Sequence, residues 1–181
     1  FLFLVDSTRE AGHVGNTEWL ARQAAALPAD TPQRWLHLAP MNLVPFTDLR
    51  HTTSQYPMPD GDMKVLLDAT LAATDIVLVA PVYWYSLPAT VKLYLDHWSA
   101  WLRIPGVPFK DTMTTKTLRL ITTSGDRAKA QPMMDSVRLC AAFFPMAWGG
   151  VNGPVLWGKG GPPGAVQADA QAVAAAADFL R

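Results

Sequence analysis

Hydrophobic positions come in five short blocks separated by amphipathic segments. The blocks are FLFLV (1–5), RWLHL (34–38), DIVLVAPVY (75–83), TLRLITTSG (117–125) and FFPMAWGGV (143–151). The first, third and fourth lack clean alternation of polar and apolar residues, which is how strands covered on both faces read. Between them the apolar period turns helical. Trp19, Leu20 and Leu27 share a stripe in 16–27, and Val65, Leu66 and Ala69 do so in 62–73. Leu87, Val91, Tyr94, Leu95, Trp98 and Leu102 repeat along 86–102, with further helices over 130–143 and 165–180. Strand followed by helix, five times over, predicts a parallel sheet with helices on both faces. Right-handed crossovers then leave few topologies.

Two segments fall outside this rhythm. Residues 39–61 form a long proline-bearing connection, a length that marks a functional loop or an interface. Residues 149–164, GGVNGPVLWGKGGPPG, read as a late surface loop. Trp98 and Trp101 lie three residues apart on one helix and suggest a shared outward face, hence an oligomer contact.

Length and composition narrow the possibilities. The 181 residues predict a single domain over 1–181 with a full core. Half the residues are hydrophobic and 17% charged, which excludes disorder. The formal net charge is zero, with 15 basic and 15 acidic side chains. This argues against a nucleic-acid binder, which carries a basic excess, and against a strongly acidic electron carrier. The single Cys140 excludes an internal disulfide and any multi-cysteine metal or iron–sulfur centre; it reads as filler on an apolar helix face. No metal site is expected, and a cytoplasmic location fits. No apolar run reaches the roughly 18 residues of a membrane span. The chain opens inside a strand at Phe1 without a methionine, which predicts a trimmed N-terminus.

Three loops carry candidate chemistry. The first, DSTREAGHVGNTEWL, leaves the carboxyl end of strand one through Ser7, Thr8, Arg9, Gly12 and Gly15 and enters a helix at Asn16 and Thr17. Ligands of open parallel sheets sit beyond the carboxyl ends of strands, and a helix N-terminus there offers free N–H groups to an anion. The loop lacks GK[ST] and GxGxxG, so it is neither a P-loop nor the usual dinucleotide fingerprint. The bland alternative is a glycine-containing turn with a capped helix. The second loop, APVYWYSLPATVKLYLDHW (80–98), sets Tyr83, Trp84 and Tyr85 at the end of a central strand, with Ser86 as a helix cap. Three consecutive aromatics there cannot all be core, and they suit a flat ring system. An aromatic lid or subunit interface is the alternative. Lys92 and Asp96, one turn apart, read as a structural pair. The third loop, ITTSGDRAKAQ (121–131), places Thr122 to Gly125 at a strand end, with Asp126 as a possible cap. His13, His51 and His97 stand apart from any triad partner and read as surface or loop histidines.

Together these loops resemble the FMN site of the flavodoxin-like superfamily, specifically its NAD(P)H-dependent FMN reductase-like oxidoreductases. The residues carrying the resemblance are DSTREAGHVGNTEWLA, PVYWYSLPATVKLYLDHW and TTSGD, in matching order along nearly the whole chain. The middle string is the most specific. The resemblance implies a three-layer sandwich whose five-stranded parallel sheet has order 2-1-3-4-5. It implies FMN as cofactor and NADH or NADPH as co-substrate. Ser7, Arg9, Asn16 and Thr17 would then surround the phosphate, with Glu18 giving a backbone N–H. Pro81, Val82, Tyr83 and Trp84 would hold the ribityl chain and ring. Thr123, Ser124, Gly125 and Asp126 would meet the pyrimidine edge.

The first loop is longer than in the shortest family members, which leaves the contact of Arg9 open. The resemblance further implies that no side chain is catalytic: hydride passes through flavin N5 to a quinone, a flavin, an azo or nitro compound, or a similar small acceptor. It implies a homodimer or homotetramer, with neighbouring subunits helping to wall the pocket. The competing readings are an electron-transfer flavodoxin and an FMN-free flavodoxin-like module that binds protein through its aromatics.

Overall fold

The computed structural model describes residues 1–6, 13–27 and 30–181. In chain order the elements are β1 (Leu2–Val5), α1 (Asn16–Ala24), β2 (Arg34–His37), α2 (Gly61–Ala72), β3 (Asp75–Val79), α3 (Ala89–Trp101), α4 (Phe109–Thr114), β4 (Thr117–Ser124), α5 (Arg127–Phe143), β5 (Ala147–Trp148), β6 (Val155–Lys159) and α6 (Ala170–Phe179). A 3-10 turn at Ala165–Ala168 precedes α6.

All the strand pairings are parallel, in the order β2-β1-β3-β4-β5. This is the order that the resemblance to the flavodoxin-like superfamily implies. The far edge of β4 is shared: β5 pairs with Thr117 and Leu118, and β6 takes over from Leu120 to Ser124. The fifth strand position is therefore filled by two short segments in series. The stretch 149–154 loops out between them, closed by a bridge between Gly150 and Gly153. The 149–164 stretch is thus a strand and its flanks, not the simple surface loop that its glycines suggest.

The alternation along the central strands sorts side chains into two cores. Leu2, Leu4, Ile76, Leu78, Leu118 and Leu120 face α2, α3 and α5. Phe3, Val5, Val77, Val79 and Ile121 face α1 and α6. Because both faces are covered, β1 is fully buried and β3 is buried from Ile76 to Val79, which explains their unbroken hydrophobicity.

Trp98 and Trp101 reverse the outward orientation their spacing suggests. They are 3% and 1% exposed and pack edge-on against Tyr94, Phe109 and Phe144. The i, i+3 spacing puts them on one helix face, but the face is the inner one. His97 is also buried, its Nε2 2.8 Å from the Val44 carbonyl oxygen, so it ties the 39–61 connection to α3. The connection carries no strand, and helix begins only at Gly61. Ser86 does not cap α3; the helix starts after Pro88 without a side-chain cap. The last predicted helix is interrupted at Asp169, whose carboxylate accepts from Ala172 N and starts α6. Among the described residues, no helix is long and apolar enough to cross a membrane.

Candidate functional site

The carboxyl ends of β1, β3 and β4 open onto one cleft of about 250 Å³. Parallel strands put these three ends on the same edge of the sheet, and the helices that follow return over its faces. The first wall is the start of α1. Gly15 precedes the helix in an extended conformation, and its carbonyl accepts from Trp19 N at 2.9 Å. The N–H groups of Asn16, Thr17 and Glu18 lie in the first turn, where a helix has no internal acceptor for them. The positive end of the helix dipole adds to that field.

The side chains of this turn have separate jobs. Thr17 Oγ1 lies 2.6 Å from Thr123 Oγ1, joining α1 to β4. The Asn16 amide is engaged by backbone: its Nδ2 donates to the carbonyls of Gly161 and Pro162 at 3.2 and 3.1 Å. Glu18 is buried, and its Oε1 accepts from Arg22 Nε and Nη2 and lies 3.3 Å from His37 Nε2. Burial pushes the Glu18 carboxyl up, but Arg22 and His37 outweigh it and hold the group below its ordinary value. Asn16 and Glu18 can therefore serve an anion through main-chain N–H groups only.

The second wall follows β3. Pro81 and Tyr83 line the cleft. Tyr83 N donates to Ser86 O at 3.1 Å and Ser86 N to Tyr83 O at 2.9 Å, closing a two-residue turn. Its central residues, Trp84 and Tyr85, both have positive φ, 47° and 65°. Such a turn favours Asn and Gly, so two aromatics there carry strain. Tyr83, Trp84 and Tyr85 are all exposed, Trp84 to 94%. The expectation that this aromatic run is not core holds. Val82 is half-buried and packs on the core beneath.

The third wall is the end of β4. Thr123 is buried beside Thr17, and Ser124 and Gly125 continue the lining. The Ser124 hydroxyl is already committed: it donates to Asp126 O and accepts from Trp157 Nε1, both at 2.8 Å. Asp126 caps α5, its Oδ1 accepting from Ala128 N at 2.9 Å. Ser124 thus presents backbone to the cleft, and the Asp126 carboxylate serves the helix.

Of the residues singled out in the sequence, Asn16, Thr17, Glu18, Pro81, Tyr83, Thr123, Ser124 and Gly125 meet in this cleft. Val82, Trp84 and Asp126 flank it. Ser7 and Arg9 lie outside the described residues. Sequence reasoning missed Gly160 and Gly161, which reach the cleft through β6, Gly160 N donating to Ser124 O and Gly161 O accepting from Asn16. It also missed Asp6, the residue after β1, which is 2% exposed and borders the same space.

The cleft fits a flavin mononucleotide by its donors and by its tight backbone. The phosphate end has free N–H groups and a hydroxyl pair. Beside that pair a Cβ added to Gly160 would come within 3.3 Å of Ser124 N and Thr123 Cβ. Only a bare backbone lets that edge approach so closely.

Comparison with known proteins agrees with this fold. A family described as having a flavodoxin-like fold matches residues 2–151. A Bacillus subtilis (strain 168) protein, assigned the name NAD(P)H-dependent FMN-containing oxidoreductase, is 31% identical over 170 residues, covering 92% of this chain and 90% of its own. An FMN-dependent NADH:quinone oxidoreductase of Kineococcus radiotolerans is 36% identical over 80 residues, 44% of this chain and 31% of that one. The solved Trp repressor binding protein of Bacillus subtilis superposes with a TM-score of 0.75 at 24% identity, covering 100% of this chain and 98% of that one; this likeness concerns the fold alone.

Proposed function

The chain belongs to the flavodoxin-like NAD(P)H-dependent FMN oxidoreductases, and we propose that it moves two electrons from NADH or NADPH to a planar aromatic acceptor of the quinone, azo, nitro or flavin class. The observation that carries this reading is the single cleft built from the ends of β1, β3 and β4 against the start of α1. FMN, when bound, supplies hydride acceptance and donation on a flat ring, and the protein supplies placement.

The first-turn N–H groups of α1 and the Thr17 hydroxyl hold the phosphate, joined by Ser7 and Arg9 on sequence grounds. Neutral donors suffice for a dianion here, which is consistent with a chain of zero net charge. Pro81, Val82 and Tyr83 flank the ring, and the backbone of Thr123, Ser124 and Gly125 meets its polar edge. N–H groups at that edge favour developing negative charge. Trp84 and Tyr85 stand at the mouth and receive the acceptor by stacking. No side chain acts as acid or base.

The protein works as one domain over 1–181 in a cytoplasmic homodimer or homotetramer. An apolar groove of about 450 Å³ between α3 and α5, flanked by exposed Leu139 and Phe143, supports the oligomer. The lone cysteine supports the location.

The test is direct. The purified protein should carry or take up FMN, and should oxidise NADH or NADPH when a soluble quinone is present. Protein that takes up no flavin, or that holds flavin but leaves both nicotinamides unoxidised, would overturn the reading.

A further inference from the structure

Asp6 is an acid in a place built for an anion. It follows β1 directly, its N–H donating to Val79 O at 3.0 Å, so its position is fixed by the sheet. Its side chain is 2% exposed and borders the cleft. Oδ2 accepts a hydrogen bond from the Thr90 hydroxyl in the first turn of α3. Among the described residues, Oδ1 is buried without a hydrogen-bond partner. A buried carboxylate oxygen with no donor is costly, and such a group commonly takes a proton instead. Burial does push the Asp6 carboxyl above its ordinary value, with the Thr90 hydroxyl and the Val91 amide partly offsetting it.

Among the described residues, the ionisable groups nearby are paired with one another, cap a helix or are exposed to solvent. On α1, Glu18 is engaged by Arg22 and by His37 of β2. On α3, Lys92 pairs with Asp96. At the end of β4, Asp126 caps α5. Arg127 and Lys129 are exposed beyond that cap, and Tyr83 lines the opposite wall. Among the described residues, the groups that favour the ionised Asp6 side chain are neutral donors, the Thr90 hydroxyl and the Val91 amide. A dianion entering the cleft meets this carboxyl inside a region of low dielectric, where two like charges repel strongly.

We propose that Asp6 holds a proton on Oδ1 when a flavin monophosphate is seated, so that loading the cofactor takes up one proton. The inference rests on the FMN reading above. It makes Asp6 a positioning residue that sets the pH range over which the protein stays loaded. The proton comes from solvent and returns there on release, so no redox or covalent step is involved.

Calorimetric titration of the flavin-free full chain with FMN, in two buffers of different ionisation enthalpy, reads the uptake directly. About one proton per FMN is expected within the window where Asp6 is ionised in the free protein and protonated in the loaded one. In that window the wild-type Kd should rise by up to about tenfold per pH unit. Asp6→Asn, which keeps a donor and cannot titrate, should remove that uptake and flatten the curve relative to wild type. This difference cancels the phosphate's own ionisation. Riboflavin, which lacks the phosphate, should show less uptake than FMN.

Thr90→Val gives a second arm should the Asp6 variant fold poorly. Losing a hydroxyl that favours the ionised form should move the pH window upward. FMN binding without Asp6-dependent uptake, or an unmoved window in Thr90→Val, would overturn the role of Asp6 and leave the cofactor reading intact. Absence of FMN binding at every pH would overturn both.

Discussion

Thr17 Oγ1 and Thr123 Oγ1 lie 2.6 Å apart, and this pair joins the first turn of α1 to the end of β4 at the edge of the cleft. Both residues are buried, so each hydroxyl depends on the other. The pair therefore links packing to ligand binding.

Thr123→Val alone should lower stability, because it strands the Thr17 hydroxyl; an unsatisfied buried group costs about 1–3 kcal/mol. The double variant Thr17→Val with Thr123→Val should recover much of that loss, since both partners leave together. Its FMN affinity should nonetheless fall, because the hydroxyl offered to the phosphate is gone. Urea denaturation of the flavin-free proteins and fluorescence-quench titration separate the two effects. Additive stability losses would show that the hydroxyls do not depend on one another.

Two glycines near the cleft should behave oppositely. A Cβ at Gly158 would meet Val166 Cγ2 at 2.7 Å and Leu20 Cδ2 at 3.0 Å. Gly158→Ala should destabilise by about 1–3 kcal/mol, the usual cost of overpacking. A Cβ at Gly125 meets nothing within 4 Å. Gly125→Ala should leave folding within about 0.5 kcal/mol of wild type, while weakening FMN binding if the ring edge rests on that backbone. Thermal unfolding and flavin titration of the two variants check this. A strongly destabilised Gly125→Ala would contradict the open space seen there.

Sequence showed most of what local physics dictates. β1, β3 and β4 were legible because both faces are covered, which leaves unbroken apolar runs. Asn16 was legible as the helix start because glycine and polar residues precede it. What was hidden depends on distant contacts. Gly160 and Gly161 reach the cleft only because β6 pairs with β4 from Leu120 onward. Nothing in VLWGKGG announces that partner. Asn16 looked like an anion ligand because its type suits one, yet its amide holds the 160s backbone. Periodicity put Trp98 and Trp101 on one face but could not say which way the face pointed. α4 spans six residues, too short for a period. Asp6 carries no distinguishing signal in the sequence, and only its burial sets it apart.

The turn at Trp84–Tyr85 should trade stability for function. Both residues sit at positive φ, and non-glycine residues there cost on the order of 1–3 kcal/mol each. Trp84 is 94% exposed, so its removal forfeits little packing. The double variant Trp84→Asn with Tyr85→Gly supplies the residues this turn prefers. It should unfold at a higher temperature than wild type and turn over aromatic acceptors more slowly, mainly through a raised KM. Unchanged acceptor kinetics would show that the two rings take no part in binding the acceptor.

Glu18 gives a pH signature of the fold itself. Its Oε1 takes Arg22 Nη2 at 2.7 Å and lies 3.3 Å from His37 Nε2. Burial alone would raise this carboxyl, but the two partners hold it below its ordinary 4.5. A carboxyl held low in the folded state is stabilising wherever it is ionised in both states. That contribution is complete above about pH 4.5, the unfolded value, and disappears as pH falls through the lower folded value. Wild type should therefore lose stability below that pH more steeply than Glu18→Gln, whose amide does not titrate. The same substitution removes a negative charge beside the anion end of the cleft while keeping the first-turn N–H groups. It should bind FMN at least as tightly as wild type at pH 7. Urea midpoints between pH 3 and 6, with one flavin titration at pH 7, test both halves. Parallel acid limbs would show that the Arg22 and His37 contacts give Glu18 no net advantage in the folded state. Markedly weaker FMN binding by Glu18→Gln would mean that its carboxylate, and not its backbone N–H, serves the site.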